Sequence, residues 1–393
     1  MTKINPEIEA FARIKVIGVG NSGTNAVNHM VRSKVKGVEF IVIDTDAQKL
    51  HHSLAPKKIH IGKNLTRGLG GGMDPEIGKR AAEETKEAIQ EAIKGADMVF
   101  VAGGLGGATG TGAGPSVAKI AKEQGILTIA VVTKPFSFEG SQRERLANSG
   151  LASLNGSVDA IIIIPNERLF GIVGKDTTFL AAFQMCDDIL KQAVEGISDL
   201  ITMPGIINVD FADVKTIMQN AGSALMGIGI AQGEKRAEEA AKMAINSPLL
   251  DVSIDGAKGV LFAISAGEDL TMIEVQKAAA VITASIDPDA KVIFGTINDN
   301  KLKKGEVKVT VIASGFSGMA RKIMPKSIAE VQESETESID TSNTSQKKEE
   351  ETKEETSGIK ALRDKVREIE KDENEDDEDS SWDVIPAFLR RNK

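Results

Sequence analysis

Apolar residues in the first half of the chain fall into short unbroken runs, separated by stretches where they recur every three or four positions. The runs at 13–18, 38–43, 98–102, 127–132 and 160–164 read as strands; 25–31, 75–93 and a segment from Pro115 read as helices. Unbroken apolar strands between amphipathic helices predict a parallel sheet covered on both faces. The longest helical pattern, 177–201, carries Phe179, Phe183, Cys186, Ile189, Leu190, Ala193, Ile197 and Leu200 at helical spacing before Pro204-Gly205 stops it. A second alternation follows, with helices at 213–220, 234–246 and 271–285 and strands at 224–231, 259–265, 291–297 and 306–314. The fold class expected is α/β: a parallel-sheet domain joined by a long central helix to a smaller α/β domain. The boundaries read as an N-terminal arm 1–12, a first domain 13–176, the helix 177–203 and a second domain 204–317.

Beyond about residue 317 the pattern collapses into Glu, Ser, Thr, Lys and Asp. Residues 331–380 hold 19 acidic and 8 basic side chains, so the net charge of −9 belongs to this stretch and the remainder is nearly neutral. Such a segment buries too little apolar area to offset its chain entropy, which predicts a disordered linker over 318–380. Ile359, Leu362, Val366 and Ile369 suit one transient helix within it. Apolar character returns at 381–393, which holds the one tryptophan, Trp382, and reads as a docking peptide.

Composition removes several classes. One cysteine, Cys186, excludes an internal disulfide and suits a reducing cytosol. No apolar run approaches the ~18–20 residues of a membrane span. The acidic N-terminus fits neither a secretory signal nor a transit peptide. The negative charge argues against nucleic-acid binding. His29, His51, His52 and His60 read as surface residues poorly spaced for a metal.

The densest chemistry lies at Gly103 to Gly112, Gly-Gly-Leu-Gly-Gly-Ala-Thr-Gly-Thr-Gly, between a strand and a helix. Backbone N–H groups of such a loop close on an anion, the helix dipole assists, and Thr109 and Thr111 offer hydroxyls. No Gly-Lys-Ser/Thr triplet occurs, which excludes a Walker-type loop. Gly18 to Gly23 matches the dinucleotide fingerprint G-x-G-x-x-G with Asp44 and Asp46 downstream, but that reading, an NAD oxidoreductase, accounts for one glycine loop out of three. The third lies at Gly68 to Gly72, and three loops at successive strand ends suit a triphosphate.

The loop at Gly103 to Gly112 is similar to the tubulin signature. Together with Asn64-Leu65-Thr66-Arg67-Gly68-Leu69-Gly70, Pro135-Phe136-Ser137-Phe138-Glu139-Gly140, Asn208-Val209-Asp210-Phe211-Ala212-Asp213-Val214 and the terminal Ile385-Pro386-Ala387-Phe388-Leu389, it makes the chain resemble the FtsZ family, bacterial tubulin homologues that form the division ring. The resemblance spans 11 to about 317 and the last dozen residues. It implies a tubulin-like GTP-binding domain, a polymerisation-activated GTPase, GTP or GDP as ligand, and Mg2+ carried on the phosphates without a dedicated protein site. The phosphate-side set implied is Gly20, Asn21, Ser22, Gly23, Thr24, Asp46, Gly71, Gly72, Gly104, Gly106, Gly107, Ala108, Thr109, Gly110, Thr111, Gly112, Thr133 and Pro135. Guanine and ribose contacts fall on Asn25, Glu139, Arg143, Asn166, Phe183 and Asp187. Phe183 and Asp187 stand at i and i+4, so one can stack on the base while the other accepts from guanine's N1–H and amine.

The hydrolytic residues implied are Asp210 and Asp213 with Asn208, inserted into the pocket of the next subunit; by itself Asp213 reads equally as a helix N-cap. Implied partners are further copies in head-to-tail protofilaments, regulators of ring placement, and membrane-linked adaptors of the FtsA or SepF type. The adaptors would be met through Ile385, Pro386, Phe388, Leu389 and Arg390, with no nucleic acid and no membrane span of the chain's own. The implied location is the cytoplasm, at the mid-cell ring beneath the membrane. A tubulin-like regulator that does not divide cells is the remaining alternative, against which the terminal peptide and the aspartate pair argue. Two positions depart from the family pattern. Ala108 replaces a glycine, which is tolerable at negative φ. Asp44 replaces an asparagine, and its charge either points away from the phosphates or assists magnesium.

Overall fold

The computed structural model describes residues 12–171, 177–203, 205–247, 254, 256–299 and 301–316. The expected linker, the docking peptide with Ile385, Pro386, Phe388, Leu389 and Arg390, and nearly all of the N-terminal arm lie outside the described residues. In chain order the first half runs β1 (Ile14–Val19), α1 (Gly20–Arg32), β2 (Val38–Asp44), α2 (Ala47–His52), β3 (Lys57–His60), α3 (Lys63–Thr66), α4 (Pro75–Glu84), α5 (Lys86–Ile93), β4 (Met98–Gly104), α6 (Ala108–Glu123), β5 (Leu127–Lys134), α7 (Ser141–Asn155) and β6 (Ala160–Pro165). The second half runs α8 (Phe179–Thr202), α9 (Phe211–Met218), β7 (Gly222–Gln232), α10 (Arg236–Ile245), β8 (Gly259–Ala266), α11 (Met272–Thr283), β9 (Lys291–Asn298) and β10 (Glu306–Ser314).

The strands form one sheet in the order β3-β2-β1-β4-β5-β6-β7-β10-β8-β9. It is parallel from β3 through β7, and β10 runs antiparallel to both β7 and β8. The two halves share this sheet through a short parallel pairing in which Ala160, Ile161 and Ile162 face Gly222, Ser223 and Ala224. The unbroken apolar runs have a direct cause. Met98, Phe100, Ile129 and Val131 pack under α1 and α8, while Val99, Val101, Ala130 and Val132 pack under α4 to α7. A strand covered on both faces has no polar alternation to show.

The structure moves several expected boundaries. The first helix begins at Gly20 and not at residue 25, and α6 begins at Ala108, seven residues before Pro115, so the glycine segment is a three-residue turn flanked by strand and helix. The helix expected over 75–93 breaks at Thr85, whose Oγ1 turns back to the Ala81 carbonyl at 3.1 Å. Helix α7, the short edge strand β3 and helices α2 and α3 were not anticipated. His29 and His60 are partly exposed and each is also engaged in the fold: His29 bonds the Asp188 carboxylate, and the Nε2 of His60 is buried with no hydrogen-bond partner.

In the C-terminal half, buried Arg236 ties the start of α10 to the turn before α11. Its guanidinium donates to Glu274 Oε1 at 2.6 Å, Asp269 Oδ2 at 2.7 Å and the Asp269 carbonyl at 2.9 Å. Thr271 and Glu274 cap α11 reciprocally.

Candidate functional site

Helices α1 and α6 both start within a residue or a short turn of a parallel strand's C-terminal end, and neither carries a side-chain N-cap or an acidic residue in its first turn. Their leading N–H groups are therefore unspent, and both dipoles favour an anion. Helix α2, in contrast, is capped by Asp46, whose Oδ1 accepts from the N–H groups of Gln48 (2.9 Å) and Lys49 (3.2 Å).

The two open helix ends converge on a cavity of about 370 Å3. Around the starts of α1 and α6 it is lined by Gly20, Asn21 and Ser22 of α1, by Gly71 and Gly72, by Gly104, and by Gly107, Ala108, Thr109 and Gly110, with Asp46 and Thr133 also in the lining. Its other end is lined by Asn25, Pro135, Glu139, Arg143, Asn166, Phe183 and Asp187. Nineteen of the expected contacts thus share one cavity at the strand ends, the position where open α/β sheets bind ligands. The Ala108 methyl is accommodated as the first residue of α6, at helical and hence negative φ.

Five expected contacts, Gly23, Thr24, Gly106, Thr111 and Gly112, do not line this cavity. Gly23 and Gly112 are packing positions: a Cβ on Gly23 would collide with the Ala102 carbonyl, and one on Gly112 with the Pro75 carbonyl of α4. Thr111 is buried, and its Oγ1 accepts from the N–H of Gly106 at 2.8 Å, so this hydroxyl holds the turn in shape. Thr24 is buried, with no partner for its hydroxyl. Sequence reasoning also passed over cavity residues. Thr45 donates to or accepts from Thr109 Oγ1 at 2.8 Å, Lys49 brings a cation to the phosphate end, and Cys186 lines the far wall. Burial pushes the Cys186 thiol up to about 12, which makes it inert.

Asp44 lines the cavity but is 3% exposed. Its Oδ1 accepts from the N–H groups of Thr45 (2.7 Å) and Asp46 (3.2 Å), while Oδ2 is buried without a partner. Burial raises its pKa above the ordinary carboxylate value, against the lowering effect of those two N–H groups.

The wide end is built on α8 and α7. Phe183 lies edge-on to Phe136 (5.4 Å between centroids) and against Phe179 (4.8 Å). Glu139 pairs with Arg143 one turn on and accepts from the Phe136 N–H at 3.0 Å, so this arginine is engaged by a carboxylate at the cavity wall. Asn166 is buried, and its Oδ1 has no partner. Burial pushes the Asp187 carboxyl up to about 6, with neighbouring Asp188 adding to the rise and His29 opposing it.

Asn208, Asp210 and Asp213 lie elsewhere. Asp187 and Thr202 stand fifteen residues apart on α8, about 22 Å at helical rise. Thr202 lies against Gly37, just before β2 begins, at the N-terminal ends of the strands and so opposite the cavity. Residues 205–210 continue from that end. There Asn208 Oδ1 accepts from the Gly205 N–H at 2.8 Å, and Asp210, exposed, caps α9. Asp213 sits in the first turn of that helix, so Asp210 is the N-cap and Asp213 is not. Among the described residues no group of three or more His, Cys, Asp or Glu gathers to hold a metal ion, and no helix is long and apolar enough to cross a membrane.

The Tubulin/FtsZ family GTPase domain matches residues 13–174, and the FtsZ family C-terminal domain matches 222–317. An empty FtsZ dimer from M. jannaschii is 47% identical, with a TM-score of 0.74 over 77% of this chain and 88% of that one. A GTPγS-bound CetZ2 protofilament from Haloferax volcanii, 20% identical, has a TM-score of 0.68 over 82% of this chain and 100% of that one, a likeness of fold. The nicotinamide reading of Gly18 to Gly23 falls with these matches.

Proposed function

This chain belongs to the tubulin/FtsZ family of GTPases, and we propose that it assembles head to tail, each subunit holding GTP that the next subunit helps to hydrolyse. The triphosphate would sit on the open ends of α1 and α6, with guanine between Phe183 and Asp187. A carboxylate at Asp187 accepts from guanine's N1–H and exocyclic amine, donors that adenine lacks. Asn208, Asp210 and Asp213 of the next subunit would then orient the attacking water, in a reaction that depends on positioning and charge more than on covalent chemistry. A nucleotide arriving here would bring Mg2+ on its own phosphates, since Asp44 is buried and Asp46 is engaged in capping α2. When bound, that ion neutralises charge on the phosphate oxygens.

The observation that carries this reading is the separation along α8. One molecule holds the cavity at the C-terminal ends of the parallel strands and the exposed Asp210 turn toward their opposite ends, so on this reading a complete site needs two copies. The test is GTP-dependent sedimentation of the purified protein, with GTPase measured against protein concentration. Specific activity should rise from near zero above a critical concentration, and activity linear down to the lowest concentrations would overturn the shared site. Mixing an Asp213→Ala variant with the pocket variant Thr109→Arg should restore turnover at mixed junctions.

At the cellular level we infer a cytokinetic ring at the mid-cell division site beneath the membrane. Residues 381–393 would dock on a membrane-linked adaptor of the FtsA or SepF type and the ring would answer to placement regulators. A linker of about 60 residues has an r.m.s. span of roughly 40–45 Å, lengthened by like charges. Phe388→Ala with Leu389→Ala should abolish membrane recruitment and spare GTPase activity; loss of assembly in the purified double variant would refute this role.

A further inference from the structure

Helix α1 supplies both ends of the cavity, with Asn21 and Ser22 at the phosphates and Asn25 beside the nucleoside end. One turn beyond Asn25, on the same face, His29 reaches across to α8, where its Nε2 lies 2.8 Å from Asp188 Oδ1. Lys191 donates to that same oxygen at 2.9 Å, three residues along α8, and so holds the Asp188 side chain in place. Asp187 and Asp188 are adjacent on a helix and point about 100° apart: the first lines the cavity and the second faces α1.

Apolar residues of both helices are buried around this pair. Ala26, Val27 and Met30 belong to the same buried cluster as Cys186, Ile189 and Leu190. Apolar burial draws two helices together but is non-directional, and ridge-and-groove packing tolerates a scatter of angles. A hydrogen bond between a ring nitrogen and a carboxylate is directional and restricts distance and angle. The His29–Asp188 bond is such a directional contact between α1 and α8.

We propose that His29, acting through Asp188, is a positioning residue for base recognition: it sets the register in which α8 presents Phe183 and Asp187 to the nucleoside held by α1. The inference rests on the reading of the cavity as a GTP site. A half-exposed side-chain contact of this kind contributes little to stability, so its effect belongs in ligand discrimination more than in melting temperature.

The experiment compares GTP, ITP (which lacks the exocyclic amine) and inorganic tripolyphosphate as ligands of the full chain, below the concentration at which it assembles. In His29→Ala the preference for GTP over ITP should fall about tenfold, the scale of one lost hydrogen bond, with tripolyphosphate affinity unchanged. His29→Gln, whose amide can reach Asp188, should recover most of the preference. Asp188→Ala should reproduce the loss independently, and the double variant should be no worse than either single one. An unchanged GTP-to-ITP ratio in both single variants would overturn the positioning role of His29, as would an equal loss for all three ligands. Failure of the unaltered chain to bind GTP would overturn the pocket reading itself.

Discussion

Asp210 Oδ1 accepts a hydrogen bond from the backbone N–H of Asp213 at 2.8 Å, which gives the two carboxylates of this turn different work. Asp210 spends one oxygen closing the N-terminus of α9, whereas Asp213 is exposed in the helix's first turn. Asp213→Ala should therefore lower GTP hydrolysis by ~10²–10³-fold, the scale of one preorganised charge, without shifting the melting temperature. Asp210→Ala should lose turnover and also about 1 kcal/mol of stability for the missing cap. Parallel GTPase and calorimetric measurements check both, and normal turnover in the two variants would end their assignment to hydrolysis.

The raised pKa of Asp187 predicts a pH dependence of binding. Only the ionised carboxyl can accept from both guanine donors, and burial pushes it up to about 6. GTP affinity should thus be highest above that value and fall as pH drops through it. Asp187→Asn should bind more weakly and lose the slope. Titration calorimetry between pH 5 and 8 in buffers of different ionisation enthalpy would detect the proton released when GTP binds the acid form.

For Asp44 the expected effect is on stability as well as ligand. Its folded pKa lies above the unfolded value because the carboxyl is buried, so it costs nothing at low pH and its penalty grows as pH rises through the folded pKa. Asp44→Asn removes the charge while its carbonyl can keep the bonds from Thr45 and Asp46. At neutral pH it should raise stability by about 1 kcal/mol and tighten GTP binding, most clearly at low salt. Equal urea midpoints and equal affinities for the two proteins would refute this account.

Arg236 gives the opposite pH signature. Its hydrogen bonds hold the Glu274 carboxyl down at about 2. The stabilisation is complete above the unfolded value near 4.5 and drains away as pH falls from there toward 2. Arg236→Met should cost about 2–3 kcal/mol at pH 7, below the ~3–5 kcal/mol of a fully buried pair, because Asp269 is 39% exposed. The difference between the two proteins should narrow in acid, which urea denaturation at pH 7 and pH 3 would measure.

Much of this architecture is written in local patterns. β1, β4, β5 and β6 read directly from unbroken apolar runs because helices cover both of their faces. Helix α7 shows no comparable stripe: it buries only Ala147, Gly150, Leu151 and Leu154 among serines and charges. Arg143, which it carries, was therefore reachable only through the family resemblance. β3 buries one side chain, Ile59, in four residues, too little for a period of two to register. The glycines at 103–112 pointed to the right place with the wrong local shape, since Gly103 and Gly104 end β4, Gly110 and Gly112 lie inside α6, and Gly112 is there for close packing against α4. His29 and Asp188 are 159 residues apart, and no spacing rule brings them together. The cavity's anion preference lies in what α1 and α6 lack, a capping side chain, and an absence leaves no motif.

The length of α8 has a kinetic consequence. In the head-to-tail stack proposed above, every interior nucleotide is covered by a neighbour's Asp210 turn, but the outermost subunit at one end presents its cavity to solvent and its opposite turn to the stack. Such a contact joins unlike surfaces and does not close on itself, so the two tips of any filament differ permanently. The subunit with the open cavity holds a nucleotide that it cannot turn over and can exchange freely. Each filament would then carry one self-renewing GTP tip, and its shrinkage would begin only when hydrolysis behind that tip outruns arrival at it.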